Sequence, residues 1–476
     1  MADEEDTEMR NTRASLHLDD EPSRPRLAVR LAGSLALCAS LVTSSASAVS
    51  ADVPERFLDL LRGSTGDRLA ALEGIESTWG RGYDVMLVET LYFVRVPEVA
   101  RPAVTLLEER TGQQLGFDLA AWYDWIWSRE EALHPTYAEF KSRLYGNLDS
   151  KFSGYFSTDR TSRIRLDEVR WGGVTQDGIP PLRDPEMIPA AEADWLADDH
   201  IVFGVAIEGD VRAYPKRILA WHEMFTDTLG GVPVAGVYCT LCGTVIVFES
   251  EHGGTRHLLG TSGFLYRSNK LMYDQATQSL WNTLWGEPVI GPLAEEPFRL
   301  VRRPVVTTRW GEWRRRHPET TVLSLATGYD RDYSEGAAYR EYFATDELMF
   351  GVPTRDERLK NKDEVLTLVL PESPASPVAF AADYLAEHPV HHDRVGELAI
   401  VVVTDPSGAN RVYASEDIVF ESFDGDSTVT DAEGSSWTLT EEALESPEGR
   451  LLPRLPAQRA FWFGWYAAYP QTRLVR

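Results

Sequence analysis

Cysteine is nearly absent from this chain: three in 476 residues, at Cys38, Cys239 and Cys242. A fold stapled by disulfides is therefore excluded, and the protein must stand on its apolar core. Positive charge is also short. Lys and Arg number 47 against 74 Asp and Glu, a formal net charge of -27. That balance opposes broad contact with phosphate backbones or anionic lipid, so no nucleic-acid partner is expected. Beyond the first fifty or so residues no apolar run approaches a bilayer span, and no integral membrane segment is expected in the mature chain. Phosphate-binding glycine loops, serine-nucleophile elbows and zincin helices are missing too, and no nucleotide cofactor is expected.

What is present begins with a leader-like stretch. Arg24, Arg26 and Arg30 precede a small-residue apolar run from Leu31 to Val42, and Ala46-Ser47-Ala48 offers a cleavage site. Residues 1–48 are expected to be a signal peptide, and the protein to be soluble and exported to the periplasm, cell surface or medium. Bulky Leu37 is a poor neighbour for a lipoprotein cysteine at Cys38. Cleavage after Ala48 leaves Cys239 and Cys242 alone.

Residues 52–150 read as a helical domain, with Leu58, Leu61, Leu69 and Leu72 at helical spacing and Pro97 and Pro102 near breaks. Trp122, Trp125 and Trp127 read as core. From about 160 the texture changes to short β-type runs punctuated by Gly, Pro and Asp. Ile201–Ile207 and Val211–Tyr214 read as a hairpin turning at Glu208-Gly209-Asp210. A helix is expected from Pro215 to about Leu229, stopped by Gly230-Gly231. Val232–Tyr238 is the next strand, delivering the cysteine loop, and Val245–Glu249 leads away. Asp274 reads as a side-chain-bonded hairpin turn, and His391-His392 as a solvated turn.

Val234–Cys239 matches Ala399–Thr404 at an offset of 165, which sets Cys242 against Ser407 and Gly243 against Gly408. Trp313, Pro318 and Thr320 match Trp465, Pro470 and Thr472 at an offset of 152. An internal repeat is expected, with a first β-rich lobe at 160–354 and a second, degenerate one at 355–476 that lacks both thiols. The fold class is α+β: a helical N-terminal domain followed by two related, mainly antiparallel β-rich lobes.

Several segments in one order resemble an uncharacterised bacterial and archaeal family, numbered 3179 in the domain-of-unknown-function series. They are Asp177-Gly178-Ile179-Pro180, Arg212-Ala213-Tyr214-Pro215, Trp221-His222-Glu223, Tyr238-Cys239-Thr240-Leu241-Cys242-Gly243-Thr244, Gly263-Phe264-Leu265-Tyr266, Leu271-Met272-Tyr273-Asp274, Ser279-Leu280-Trp281, His317-Pro318-Glu319-Thr320 and Phe461-Trp462-Phe463. The resemblance covers about 165–475 and implies an exported or membrane-associated protein without implying an activity. The family usually has Pro where this chain has Thr240.

Two cysteines two residues apart, followed by glycine on a strand-to-strand turn, aim both sulfurs at one small volume. That geometry suits a metal knuckle for zinc or copper, with Cys239, Cys242 and His222 as ligands and His252, His257 and Asp274 in reserve. Glu223 is the candidate base of a metal-assisted enzyme. Thiol–disulfide exchange uses the same spacing, although a strand rather than a helix follows Cys242. A local disulfide that only pins a turn is the structural alternative. The sequence leaves metal-binding protein, enzyme and interaction protein open.

Overall fold

The computed structural model describes residues 53–476; the leader-like residues 1–48, the Ala46-Ser47-Ala48 site and Cys38 lie outside the described residues. Six helices come first: α1 Val53–Asp59, α2 Thr65–Ser77, α3 Tyr83–Leu91, α4 Pro97–Thr111, α5 Leu119–Trp127 and α6 Tyr137–Gly146. Their ends follow local chemistry. Ser64 and Asp67 form a capping box at the start of α2, while α4 opens on Pro97 and stops at Gly112, whose φ of 74° is left-handed. Pro102 does not break α4. It lies on the exposed face, where solvent is available to the carbonyl that its ring leaves without a donor.

Trp122 is fully buried and donates its indole N–H to Gly116 O at 2.9 Å, and Trp127 donates to Asp167 O at 3.3 Å. The tryptophans are core, as expected. Glu89 is buried in the same domain, where the hydroxyls of Tyr137 and Tyr145 and the ammonium of Lys141 satisfy it. The helices share one apolar core with Phe264, Tyr266, Leu271 and Ile290. These belong to an antiparallel sheet of Val169–Trp171, Leu259–Tyr266, Asn269–Asp274, Leu280–Asn282 and Glu287–Ile290. The helices and this sheet thus share one core.

The first lobe runs β1 Ile201–Ile207, β2 Asp210–Pro215, α7 Lys216–His222, β3 Met224–Leu229, β4 Val232–Cys239, β5 Thr244–Glu249, then β6 Val306–Arg309, α8 Trp310–Arg316 and β7 Thr321–Leu323. The second runs β8 Glu364–Leu370, β9 Ser373–Ala381, α9 Ala382–Glu387, β10 Val390–Val395, β11 Leu398–Thr404, β12 Asn410–Ala414, then β13 Gln458–Phe461, α10 Trp462–Ala468 and β14 Arg473–Val475. Strand order is β6-β1-β2-β7 in one, where Met187–Pro189 adds a fifth, antiparallel strand beyond β7, and β13-β8-β9-β14 in the other, with β7 and β14 as the corresponding strands. In each, that strand runs parallel to its inner neighbour, β2 or β9, and the other pairs are antiparallel. Antiparallel β3-β4-β5 corresponds in the same way to β10-β11-β12. Each lobe closes with the same bond: Trp313 Nε1 to Thr320 Oγ1 at 3.0 Å, and Trp465 Nε1 to Thr472 Oγ1 at 2.9 Å. The fold is α+β.

Two local expectations are corrected. The helix from Pro215 ends at His222, not Leu229, because Glu223 turns left-handed at φ 54° and Met224–Leu229 pairs antiparallel with β4. Aromatic Phe225 and β-branched Thr226 and Thr228 suit that strand, and Gly230-Gly231, with φ of 54° and 84°, is a hairpin turn rather than a helix stop. His391 and His392 lie within β10, where pairing with Val402 and Val401 keeps them extended.

Candidate dithiol site

β4 carries Cys239 at its last position, paired with Thr244 at the start of β5. The intervening Thr240–Gly243 turn needs its glycine twice over. Gly243 has φ 59°, and a Cβ there would lie 2.9 Å from the Phe461 ring. The second lobe covers the turn: Phe461 N–H donates to Cys242 O at 2.7 Å, and a Cβ on Gly464 of α10 would lie 3.1 Å from Cys242 Sγ. Tyr342 closes the third side, its hydroxyl donating to Leu241 O at 2.8 Å.

Both cysteines are free thiols, exposed by 2% and 0%. The Cys242 thiol faces Ser268 O at 3.4 Å and receives the Asn269 side-chain amide at 3.4 Å. Arg267 and Ser268, at φ of 50° and 64°, make the tight turn that presents these groups. The two thiols share one turn, and their acidities diverge. Burial pushes the Cys239 thiol up, but the Cys242 thiol and the backbone N–H groups of Lys270 and Cys242 outweigh it, leaving Cys239 below the ordinary thiol value. Burial and the proton held toward Cys239 push Cys242 well above it. One sulfur is prepared to be an anion and its neighbour to keep a proton.

Glu223 follows α7 and folds back under the turn. Its Oε1 accepts from Thr240 Oγ1 at 2.8 Å and from the Tyr339 hydroxyl at 3.0 Å, and its Oε2 pairs with the Lys270 ammonium. Its carbonyl accepts from Tyr238 N–H at 2.9 Å. A cavity of about 60 Å³ opens beside this pair, bounded by Glu223, Lys270, Leu241, Thr261, Phe264 and Tyr339.

His222 is placed elsewhere. Its Nδ1 meets Pro180 O at 2.8 Å and its Nε2 meets the Tyr333 hydroxyl at 2.6 Å, so both ring nitrogens are engaged; burial lowers its pKa. His252 stacks on Phe298 at 4.1 Å, and His257 bonds Asp274 at 3.0 Å. Asp274 also accepts from the N–H groups of Ala276 and Thr277, the side-chain-bonded turn that its sequence suggests. Among the described residues, no group of three or more His, Cys, Asp and Glu is arranged to hold a metal ion. The structure therefore unites Cys239, Cys242 and Glu223 and leaves His222 outside.

Lys270, Asn269, Tyr339 and Tyr342 belong to the site and escaped the sequence reading. Lys270 is the one basic residue of the fully buried strand Asn269–Asp274, just before its Leu-Met-Tyr run, a pattern that flags a buried ion pair. The tyrosines come from an irregular connection between the lobes, which has no periodicity to place it.

Among the described residues no helix is long and apolar enough to cross a membrane. Neither curated proteins nor solved structures give a match. A family model described as protein of unknown function (DUF3179) matches residues 176–472, which takes in both lobes and the whole dithiol site. The chain belongs to that family.

Proposed function

We propose that the protein is an exported thiol–disulfide redox protein whose centre is Cys239 and Cys242. The observation that carries this reading is the pair of free thiols buried on one glycine-supported turn, with the Asn269 side-chain amide donating to Cys242 Sγ at 3.4 Å. Cys239, as thiolate, attacks one sulfur of a small disulfide; that S–S bond breaks, and the leaving thiolate takes up a proton. Cys242 then gives up its proton and attacks Cys239 Sγ, releasing the second thiol and closing a Cys239–Cys242 bond. Two electrons pass from the dithiol to the substrate, Cys242 supplying one proton and solvent the other. Exposures of 2% and 0% restrict the partner to a small molecule. Glu223 is here a positioning residue that holds Thr240 and Lys270.

The leader-like residues 1–48 support export, where a dithiol meets oxidants. The shared strand order supports reading the lobes, split near 354/355, as copies of one unit in which only the first kept its thiols. Trapping tests the proposal: Cys242→Ser incubated with a small aromatic disulfide should accumulate a mixed disulfide at Cys239. No adduct, or an equal adduct in Cys239→Ser, would overturn it.

Metal binding is a second reading, favoured by two unbonded sulfurs converging in an apolar enclosure. With His222 engaged elsewhere, two thiolates suit a soft ion such as Cu(I) better than tetrahedral zinc. Elemental analysis of anaerobically purified protein separates the two.

A further inference from the structure

Side chains alternate along β4, so Tyr238 points to the face opposite Cys239. There it enters a second cavity, about 90 Å³, between the lobes. Its boundary includes Tyr238 and Gly243 from the cysteine strand and turn, and Ser407 and Gly408 from the corresponding turn of the second lobe. Lys216 from the start of α7 and Arg309 from the end of β6 complete it.

Three features point to a ligand. First, the Tyr238 hydroxyl is buried, the residue being 1% exposed, and has no hydrogen-bond partner among the described residues. Burial holds its pKa well above the phenol value, so it remains an O–H donor. A buried donor without an acceptor is rare in native proteins and implies a missing partner. Second, Lys216 and Arg309 make no ion pair among the described residues; Lys216 only lies 4.8 Å from the Phe343 ring. Lys216 is half-buried and Arg309 exposed, so both can turn onto an anion at the mouth of this cavity. The third cation, Arg459, is already bound to Glu364, Asn410 Oδ1 and Gly408 O, so this pair adds no net charge. Third, the Thr308 hydroxyl faces Ser407 Oγ at 3.4 Å across the lobe boundary; Ser407 already donates to Asp405 Oδ1 at 2.6 Å, so Thr308 is the hydroxyl free to turn toward a ligand.

We propose that this inter-lobe cavity binds a small oxyanion, a carboxylate or inorganic phosphate, through the Tyr238 hydroxyl, Lys216 and Arg309. Its volume is that of roughly three waters, which limits the ligand to one such group or the end of a larger molecule. Two cations and hydroxyl donors form the charge-assisted set that such an anion needs. The site stands apart from the redox reading, since it lies on the opposite side of the cysteine turn.

Isothermal titration of the full chain with sodium phosphate and with sodium acetate, at constant ionic strength set by chloride, tests this. Saturable binding of either anion near one per chain is expected, and the stronger of the two names the ligand's headgroup. Lys216→Gln and Arg309→Gln should each weaken it by about tenfold, and Tyr238→Phe by several-fold. Arg256→Gln, on an exposed hairpin that takes no part in lining this cavity, should leave it unchanged. Tyr238→Phe removes only an unpartnered oxygen, so its circular dichroism should match the parent, separating lost binding from lost fold. Absence of saturable binding by both anions, or equal affinity in all four variants, overturns the proposal.

Discussion

The backbone N–H of Phe461 donates to the carbonyl of Cys242 at 2.7 Å, joining the second lobe directly to the cysteine turn of the first. The thiols are therefore buried by a lobe that carries no cysteine of its own. Stability of the lobe contact and reactivity of the thiols should be coupled.

Gly243→Ala tests that coupling. The new methyl would meet the Phe461 ring at 2.9 Å from a backbone already at φ 59°. A loss of about 2–4 kcal/mol in denaturant unfolding is expected, together with faster thiol alkylation. Gly253→Ala has a similar φ of 57° but open space around it. It should cost only the backbone strain of about 1 kcal/mol, and leave alkylation unchanged.

Glu223→Gln should lower the Cys239 pKa further. The negative charge of Glu223 raises that thiol, and the substitution also leaves the Lys270 ammonium without its counter-charge. The pH midpoint of thiolate ultraviolet absorbance should shift down relative to the parent. An upward shift contradicts the placement of Glu223 beside Cys239.

Glu441 predicts an acid limb of stability. It is buried between Arg411 and Arg454, and despite burial those guanidiniums and His317 hold it well below the carboxylate range. A depressed folded pKa gives stability that is complete above the unfolded value of about 4.3 and lost as pH falls toward the folded one. Glu441→Gln should flatten that limb and, at neutral pH, cost about 3–5 kcal/mol by stranding buried Arg454, while Arg411 keeps Asp405. Unchanged acid denaturation would remove Glu441 from this account.

His222→Ala should cost about 1–3 kcal/mol through loss of its bonds to Pro180 O and Tyr333. The free-thiol count and any bound metal should stay as in the parent. Metal lost on this substitution alone would restore His222 as a ligand.

Strands were legible wherever alternation met a turn signal. Ile201–Ile207 folds back through Glu208 and Gly209, whose φ values of 49° and 78° make a hairpin turn. The Trp and Pro-x-Thr recurrence corresponds to two indole–hydroxyl bonds at one sequence spacing. Met224–Leu229 was misjudged because Pro215 and the glycine pair are valid boundaries for either element, and only pairing with β4 decides between them. At the site, spacing brought Cys239 and Cys242 together, since they share one turn. His222 directly precedes Glu223, yet its ring points to Pro180 and Tyr333. That direction depends on the left-handed turn at Glu223 and on a connection more than a hundred residues away, neither of which is written in local spacing.

Equilibrating the full chain in graded mixtures of reduced and oxidised glutathione, then quenching with acid and weighing the intact protein, tests the central claim most directly. The account predicts one reversible two-electron step to an internal Cys239–Cys242 disulfide, absent from Cys239→Ser and from Cys242→Ser. Two thiols that stay reduced across the whole range, in protein shown by its unfolding transition to be native, would contradict it.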